Sequence, residues 1–147
     1  MKINVRKVNN RATLPTKGSK GAAAYDLYAC LDDECIDIGP ESTCFISTGV
    51  AFAIPEGYWG GIYARSGLAC KQGLRPANCV GVVDPDYRGE VMVCLYNDSH
   101  EVKTIYNGDR IAQLIVAPYM DCEFVESENL DDTERGAGGF GSTGINK

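Results

Sequence analysis

Turn-forming residues cut this chain at short intervals. Gly39-Pro40, Pro55-Glu56-Gly57, Asp84-Pro85-Asp86, Asn97-Asp98-Ser99 and Asn107-Gly108-Asp109 each interrupt an apolar or alternating run. The runs between them, residues 44–54, 61–64, 91–96 and 111–117, suit strands better than helices. Such punctuation limits the chain to an all-β sandwich or barrel. The segment 91–96, Val-Met-Val-Cys-Leu-Tyr, is apolar on both alternating faces. It should therefore be covered on both sides, by the core or by a neighbouring subunit. One short helix is expected at Ser66-Gly67-Leu68-Ala69-Cys70-Lys71-Gln72, with Ser66 as N-cap and Gly73 as its C-terminal glycine. There is no internal repeat.

At 147 residues the chain fits one domain with a substantial core. The division expected is a β-sandwich core over residues 1–132 and a C-terminal arm over 133–147, which is not a separate domain. The formal net charge is −6, and the 14 basic residues form no cluster. That argues against nucleic acid, which needs concentrated Lys and Arg to displace counterions. No stretch has the length and apolarity of a membrane span, and the N-terminus lacks a signal-peptide core, so a soluble intracellular protein is expected. Seven cysteines, an odd number, show no C-x-x-C spacing, and the only histidine is His100. This favours reduced structural thiols over a zinc site or a Cys–His nucleophile.

Several segments carry possible chemistry. Arg65 and Ser66 open the short helix, where free N–H groups beside a guanidinium suit an anion; an ordinary solvated cap is the plainer alternative. Residues 81–91, Gly-Val-Val-Asp-Pro-Asp-Tyr-Arg-Gly-Glu-Val, read as a β-hairpin turning at Asp84-Pro85-Asp86. Its crowding of carboxylates, Tyr87 and Arg88 could supply a general base and a nucleoside-reading wall, or simply a solvated turn. Gln113 interrupts an apolar strand on the face of Ile111 and Ile115, and a buried amide there needs a partner, either backbone or ligand.

Residues 123–134 are acidic, and 136–144 hold five glycines around one bulky residue, Phe140. Gly136-Ala137-Gly138-Gly139-Phe140-Gly141 matches G-x-G-x-x-G, but only six residues follow it, so no dinucleotide fold can be built there. Disorder is one reading of this tail. A ligand-closing arm is the other, with Arg135 for phosphate and Phe140 for stacking on a base.

The order of these segments resembles the five motifs of the trimeric dUTPase family, the deoxyuridine 5'-triphosphate nucleotidohydrolases. The motifs match Ala24-Tyr25-Asp26-Leu27; Ala64-Arg65-Ser66-Gly67-Leu68-Ala69; residues 81–91 with Asn78 upstream; Gly108-Asp109-Arg110-Ile111-Ala112-Gln113-Leu114; and residues 135–144. Ala24 and Ala64 stand where the family usually has Gly and often has Pro. The whole sequence looks most like orthopoxvirus dUTPases, which would place it in a host cytoplasm.

The resemblance implies a jelly-roll-like β-sandwich that trimerises, with each active site drawn from three subunits. It implies hydrolysis of dUTP to dUMP and pyrophosphate by in-line attack of water on the α-phosphorus. This would limit uracil incorporation into DNA and supply dUMP for thymidylate synthesis. Asp84 is the matched general base and ribose contact. Arg65, Ser66, Gly67, Gln113, Arg135, Gly138, Ser142 and Thr143 match phosphate contacts. Asn78, Gly81, Val83, Tyr87 and Phe140 match nucleoside contacts, Tyr87 against the ribose C2′ and Phe140 on uracil. The implied cofactor is Mg2+, held mainly by triphosphate oxygens and waters, with Asp26 reaching it through water. Two alternatives remain open: a dCTP deaminase on the same fold, and a jelly-roll interaction protein that binds a nucleotide without turning it over.

Overall fold

A computed structural model describes residues 1–140. Among the described residues, eleven strands and one helix follow one another: β1 (Asn4–Lys7), β2 (Tyr25–Tyr28), β3 (Cys35–Ile38), β4 (Thr43–Ser47), β5 (Val50–Ala53), β6 (Tyr58–Tyr63), α1 (Ser66–Gln72), β7 (Leu74–Pro76), β8 (Val80–Val83), β9 (Met92–Asn97), β10 (Lys103–Tyr106) and β11 (Arg110–Pro118). The strands form sheets in the orders β2-β11-β6-β8, β4-β9-β7, β1-β5 and β10-β3, and their pairings are antiparallel. The expected all-β, jelly-roll-like sandwich with one short helix is what forms.

The sheets close on one core. Leu27, Ile38, Ile46, Leu74, Leu95, Ile105 and Ile111, drawn from seven different strands, are all fully buried. Burying such a side chain stabilises the fold by roughly 1.5–3 kcal/mol relative to leaving it exposed. Alternation along each strand decides which residues reach this core. In β9, Val93, Leu95 and Asn97 point inward, while Met92 lies half exposed and Cys94 and Tyr96 are partly exposed on the outer face. Phe45, opposite Cys94, is also exposed on that outer face. Of the two apolar faces expected over 91–96, one is therefore covered within the chain and one is open.

The expected run 44–54 is broken into β4 and β5 at Gly49, whose φ of 67° is left-handed. The helix starts one residue earlier than its sequence suggests. Arg65, extended at φ −85° and ψ 128°, is the N-cap and makes no side-chain cap bond, so Ser66 is the first helical residue and its hydroxyl is not the cap. Gly73, left-handed at φ 69°, closes the C-terminus as expected, its N–H bonding the carbonyls of Ala69 and Leu68.

The 81–91 segment is not a hairpin. β8 pairs with β6 and β9 pairs with β4 and β7, so residues 84–91 carry the chain from one sheet to another. The Asp84 turn survives without the pairing, closed by Tyr87 N–H to the Asp84 carbonyl at 3.2 Å. A turn signal dictates reversal locally, whereas the partner of each strand is set by burial of Val83, Val91 and Val93 in the shared core.

Asn97 is fully buried yet polar. Its amide nitrogen shares its two hydrogens among the carbonyls of Ile38 (2.9 Å), Gly39 (3.1 Å) and Glu101 (2.7 Å), and its Oδ1 accepts from Ser99 N–H and Oγ. This one side chain joins the end of β3 to the turn after β9. Replacing it with alanine removes this donor from the buried Ile38 carbonyl and the partly buried Gly39 and Glu101 carbonyls. Asn97→Ala is expected to lower stability by roughly 2–4 kcal/mol, read from the midpoint of chemical denaturation at unchanged m. A loss below about 0.5 kcal/mol would remove the side chain from this role.

Candidate active site

Two clusters of the expected site residues form in the chain. In the four-stranded sheet β11 lies between β2 and β6, with Gln113 opposite both Asp26 and Tyr63. The segments 24–27, 64–69 and 108–114 therefore come side by side and form one wall. Asp26 is buried there, and its Oδ1 accepts from Arg65 Nε at 2.8 Å while its Oδ2 accepts from Arg110 Nη1 at 3.1 Å. Arg65 Nη1 also donates to the Arg110 carbonyl at 3.1 Å. A carboxylate held by two guanidiniums at low exposure fixes their planes, and the cluster keeps one net positive charge. Gln113 donates Nε2 to the Ala64 carbonyl at 2.8 Å, so its amide is held to backbone and braces the entry to α1. A bulge between Arg110 and Ala112 buries both Ile111 and Ala112, so the simple alternation expected around Gln113 holds only from Ala112 onward. Ser66 and Gly67 are exposed at the start of α1.

Arg110 holds this wall together, although the sequence marks it only as part of a motif and not as a site residue. Its signal lay in Gly108-Asp109-Arg110, a turn followed at once by a strand. The turn is held by Asp109, whose Oδ2 accepts from Tyr106 N–H at 2.9 Å.

The second cluster surrounds a cavity of about 390 Å³, lined by Asn78, Gly81, Val83, Asp84 and Tyr87 among others. All five expected nucleoside contacts of the 78–87 region meet there. Gly81 is tight: a Cβ would stand 3.3 Å from Asn78 Nδ2 and 3.2 Å from the Ile62 Cβ. Asp84 is exposed at the rim and borders a second, larger cleft of about 1060 Å³ beside Trp59, Asp86, Arg88 and Tyr119.

The two clusters do not meet within one chain. In the β6–β8 pairing, Tyr63 lies opposite Val80 and Gly60 opposite Val83. Asp84 therefore continues past the Gly60 end of β6, while Arg65 follows the Tyr63 end. At about 3.3 Å per residue Gly60 and Tyr63 lie roughly 10 Å apart, and Asp84 and Arg65 stand further out at either end. The described part of the arm, residues 133–140, does not bridge the gap. Among the described residues, the hydrogen bonds of 133–140 close on the segment itself, Arg135 Nε donating to the Gly138 carbonyl at 2.7 Å, and Phe140 is fully exposed. Ser142 and Thr143 lie outside the described residues.

The seven cysteines are free, and burial pushes the Cys30 and Cys44 thiols up, away from the reactive thiolate. Among the described residues no helix is long and apolar enough to cross a membrane.

Comparison with known proteins agrees with this architecture. The family model described as dUTPase matches residues 10–144. The chain is 46% identical over 144 residues to the deoxyuridine 5'-triphosphate nucleotidohydrolase of Nautilia profundicola, covering 98% of this chain and 99% of that one. It is 45% identical over 147 residues to that of Coxiella burnetii, covering 99% and 96%. Among solved structures it superimposes on a point mutant of the Staphylococcus bacteriophage 80alpha dUTPase with dUpNHpp, with a TM-score of 0.88, 27% identity and coverage of 98% and 99%. A phage phi11 dUTPase mutant, described for the coordination of a structural Mg(II) ion, matches with a TM-score of 0.80, 25% identity and coverage of 90% and 100%. These relatives are bacterial and phage proteins. The orthopoxvirus likeness drawn from overall appearance finds no support among them, and the host-cytoplasm location that hung on it is withdrawn. With its family model spanning nearly the whole length and its relatives matched end to end, the chain belongs to the dUTPase family.

Proposed function

We propose that the chain hydrolyses dUTP to dUMP and pyrophosphate at sites shared between three subunits. The observation that carries this reading is the separation of the Arg65 wall from the Asp84 cavity along β6. Each chain offers a phosphate wall and a nucleoside cavity at different edges, and association of copies would pair one with the other. The open apolar face of Phe45 and Met92 supports association, since an exposed patch of that kind marks an interface. In this arrangement residues 1–132, whose last strand ends at Pro118 and whose final stretch leads out from the sandwich, make up the core unit, and 133–147 an arm that reaches a neighbour.

Asp84 takes a proton from water as that water attacks the α-phosphorus. The bond to the bridging oxygen breaks, and pyrophosphate leaves on the opposite side. Arg65, with Nε and Nη1 engaged by Asp26 and the Arg110 carbonyl, turns its remaining edge to phosphate. Ser66, Gly67 and Gln113 complete that wall, and Arg135, Gly138, Ser142 and Thr143 close over the phosphates from the arm. Asn78, Gly81 and Val83 read the uracil edge, Tyr87 stands against C2′, and Phe140 stacks on the base.

The donor set fits a magnesium ion carried by the substrate. Among the described residues no three carboxylate, imidazole or thiol groups converge to hold a metal, and both Asp26 oxygens are taken by arginines. Magnesium retains its waters and needs no protein cage, so Asp26 would meet it only through water. When bound, the ion would neutralise phosphate charge and orient the triphosphate.

Pyrophosphate release from dUTP, dCTP and UTP tests the reading. Turnover of dUTP at least about 100-fold above the other two is expected from a site that hydrogen-bonds the base and excludes the 2′-hydroxyl. Ammonia released from dCTP would make the chain a deaminase, and tight binding of dUTP without turnover would make it a nucleotide-binding module.

A further inference from the structure

Tyr87 is about 45% exposed, so packing alone does not hold its ring. Two neighbours do. The ring lies directly over Gly89, where an added Cβ would stand 2.6 Å from Tyr87 Cζ. The hydroxyl donates to the backbone carbonyl of Glu90 at 2.9 Å. Glu90 is itself tied to the body of the protein. Its Oε1 accepts from Gly49 N–H at 2.7 Å and from the Ser47 hydroxyl. The next residue is fastened to the same turn, with Val91 N–H bonded to the Val50 carbonyl at 2.9 Å and the Val91 carbonyl accepting from Thr48 Oγ1. That turn is rigid, because Gly49 sits left-handed against Ala12 and Cys30 in the core.

A continuous chain of contacts thus runs from the core turn 47–49, through the Glu90 carboxylate and backbone, to the Tyr87 hydroxyl. It crosses the gap between the two sheets that residues 84–91 span. Without the Glu90 anchor the segment would still be fastened at Val91, by its bonds to Val50 and Thr48, and at the Arg88 carbonyl, which accepts from Arg6 Nη2 at 3.4 Å, but Tyr87's hydroxyl partner would lose its side-chain tie to the 47–49 turn.

We infer that Glu90 and Gly89 are positioning residues for sugar specificity: together they set the Tyr87 ring so that it, and not the floor of the cavity, discriminates deoxyribose from ribose. The inference rests on the reading of Tyr87 as the ribose gate given above. A ring placed by anchors can reject a single hydroxyl, whereas a loose ring yields to it. Glu90 also lines the nucleoside cavity, but its Oε1 is turned to Ser47 and Gly49, and the role inferred for it runs through Tyr87.

The measured quantity is the ratio of kcat/KM for UTP to that for dUTP. Loss of stability or of active enzyme lowers both terms together and leaves the ratio still, so a merely structural role would not move it. Tyr87→Ala is the reference for an absent gate. Glu90→Ala and Gly89→Ala are each expected to raise the ratio by about 10-fold, toward the Tyr87→Ala value. Glu90→Gln keeps an oxygen acceptor for Ser47 and Gly49 and is expected to retain the wild-type ratio. If Tyr87→Ala raises the ratio while Glu90→Ala and Gly89→Ala leave it unchanged, this inference fails and the gate reading stands. An unchanged ratio in Tyr87→Ala overturns both. A Glu90→Gln ratio as high as that of Glu90→Ala would also sink the anchor, since the acceptor oxygen would then be irrelevant.

Discussion

Truncation after Asp132 is expected to leave a folded trimer that turns over dUTP about 10³–10⁵-fold more slowly, the range associated with an arginine delivered to a phosphoryl-transfer site. The last described strand ends at Pro118, and residues 119–137 are exposed, so the truncation removes none of the described core residues. It removes Arg135 and Phe140, whose described contacts within the single chain are confined to the arm itself. Their proposed work is on a neighbouring subunit's site, on substrate alone. Sedimentation equilibrium and chemical denaturation of the truncated chain should therefore match the full chain, while single-turnover pyrophosphate release collapses. Retained activity would reduce the arm to a solvated tail. A truncated chain that sediments as a monomer would instead give the arm an assembly role that the proposed scheme does not contain.

Asp84→Asn should keep the fold and the affinity for magnesium–dUTP while losing about 10²–10⁴-fold in turnover, the usual cost of removing a general base. Asparagine preserves shape and hydrogen bonding toward the ribose but cannot accept the proton from water. Because that proton moves only in the transition state, the loss should fall on kcat and not on binding. Asp84 is exposed and its side chain is outside the core, so destabilisation does not cloud the result. Asp86→Asn is the control: it lies in the same turn, is also exposed, and lines the larger cleft without bordering the nucleoside cavity. It should stay near wild type. A dead Asp86→Asn beside an active Asp84→Asn would reassign the base, and two active mutants would move activation of the water elsewhere.

Much of the fold was legible from local rules. Gly73 ends α1 because a left-handed residue is needed there, and the runs that became β9 and β11 carried enough apolar residues to be seen. The four-residue strands β1, β3 and β10 were not legible: each buries only part of one face, and their alternation is too brief to stand out. The N-cap shifted from Ser66 to Arg65 because capping is decided by backbone angles, which residue preference only biases. The 81–91 hairpin failed for a related reason. A turn is a local event, but strand pairing is settled by which partner buries Val83, Val91 and Val93.

The site divides along the same line. The residue types, their order and the motif spacing that mark this chain as a dUTPase are properties of the one-dimensional sequence, and they suffice for the family and its chemistry. Distances are not. That Asp26 joins Arg65 to Arg110 depends on β11 lying between β2 and β6. That Asp84 and Arg65 stand at opposite ends of β6 depends on the antiparallel register of β6 with β8. That Glu90 reaches Gly49, forty-one positions away, depends on the crossing of residues 84–91 between sheets. Each follows from long-range pairing, whose free energy comes from burying a shared core and so belongs to no single segment.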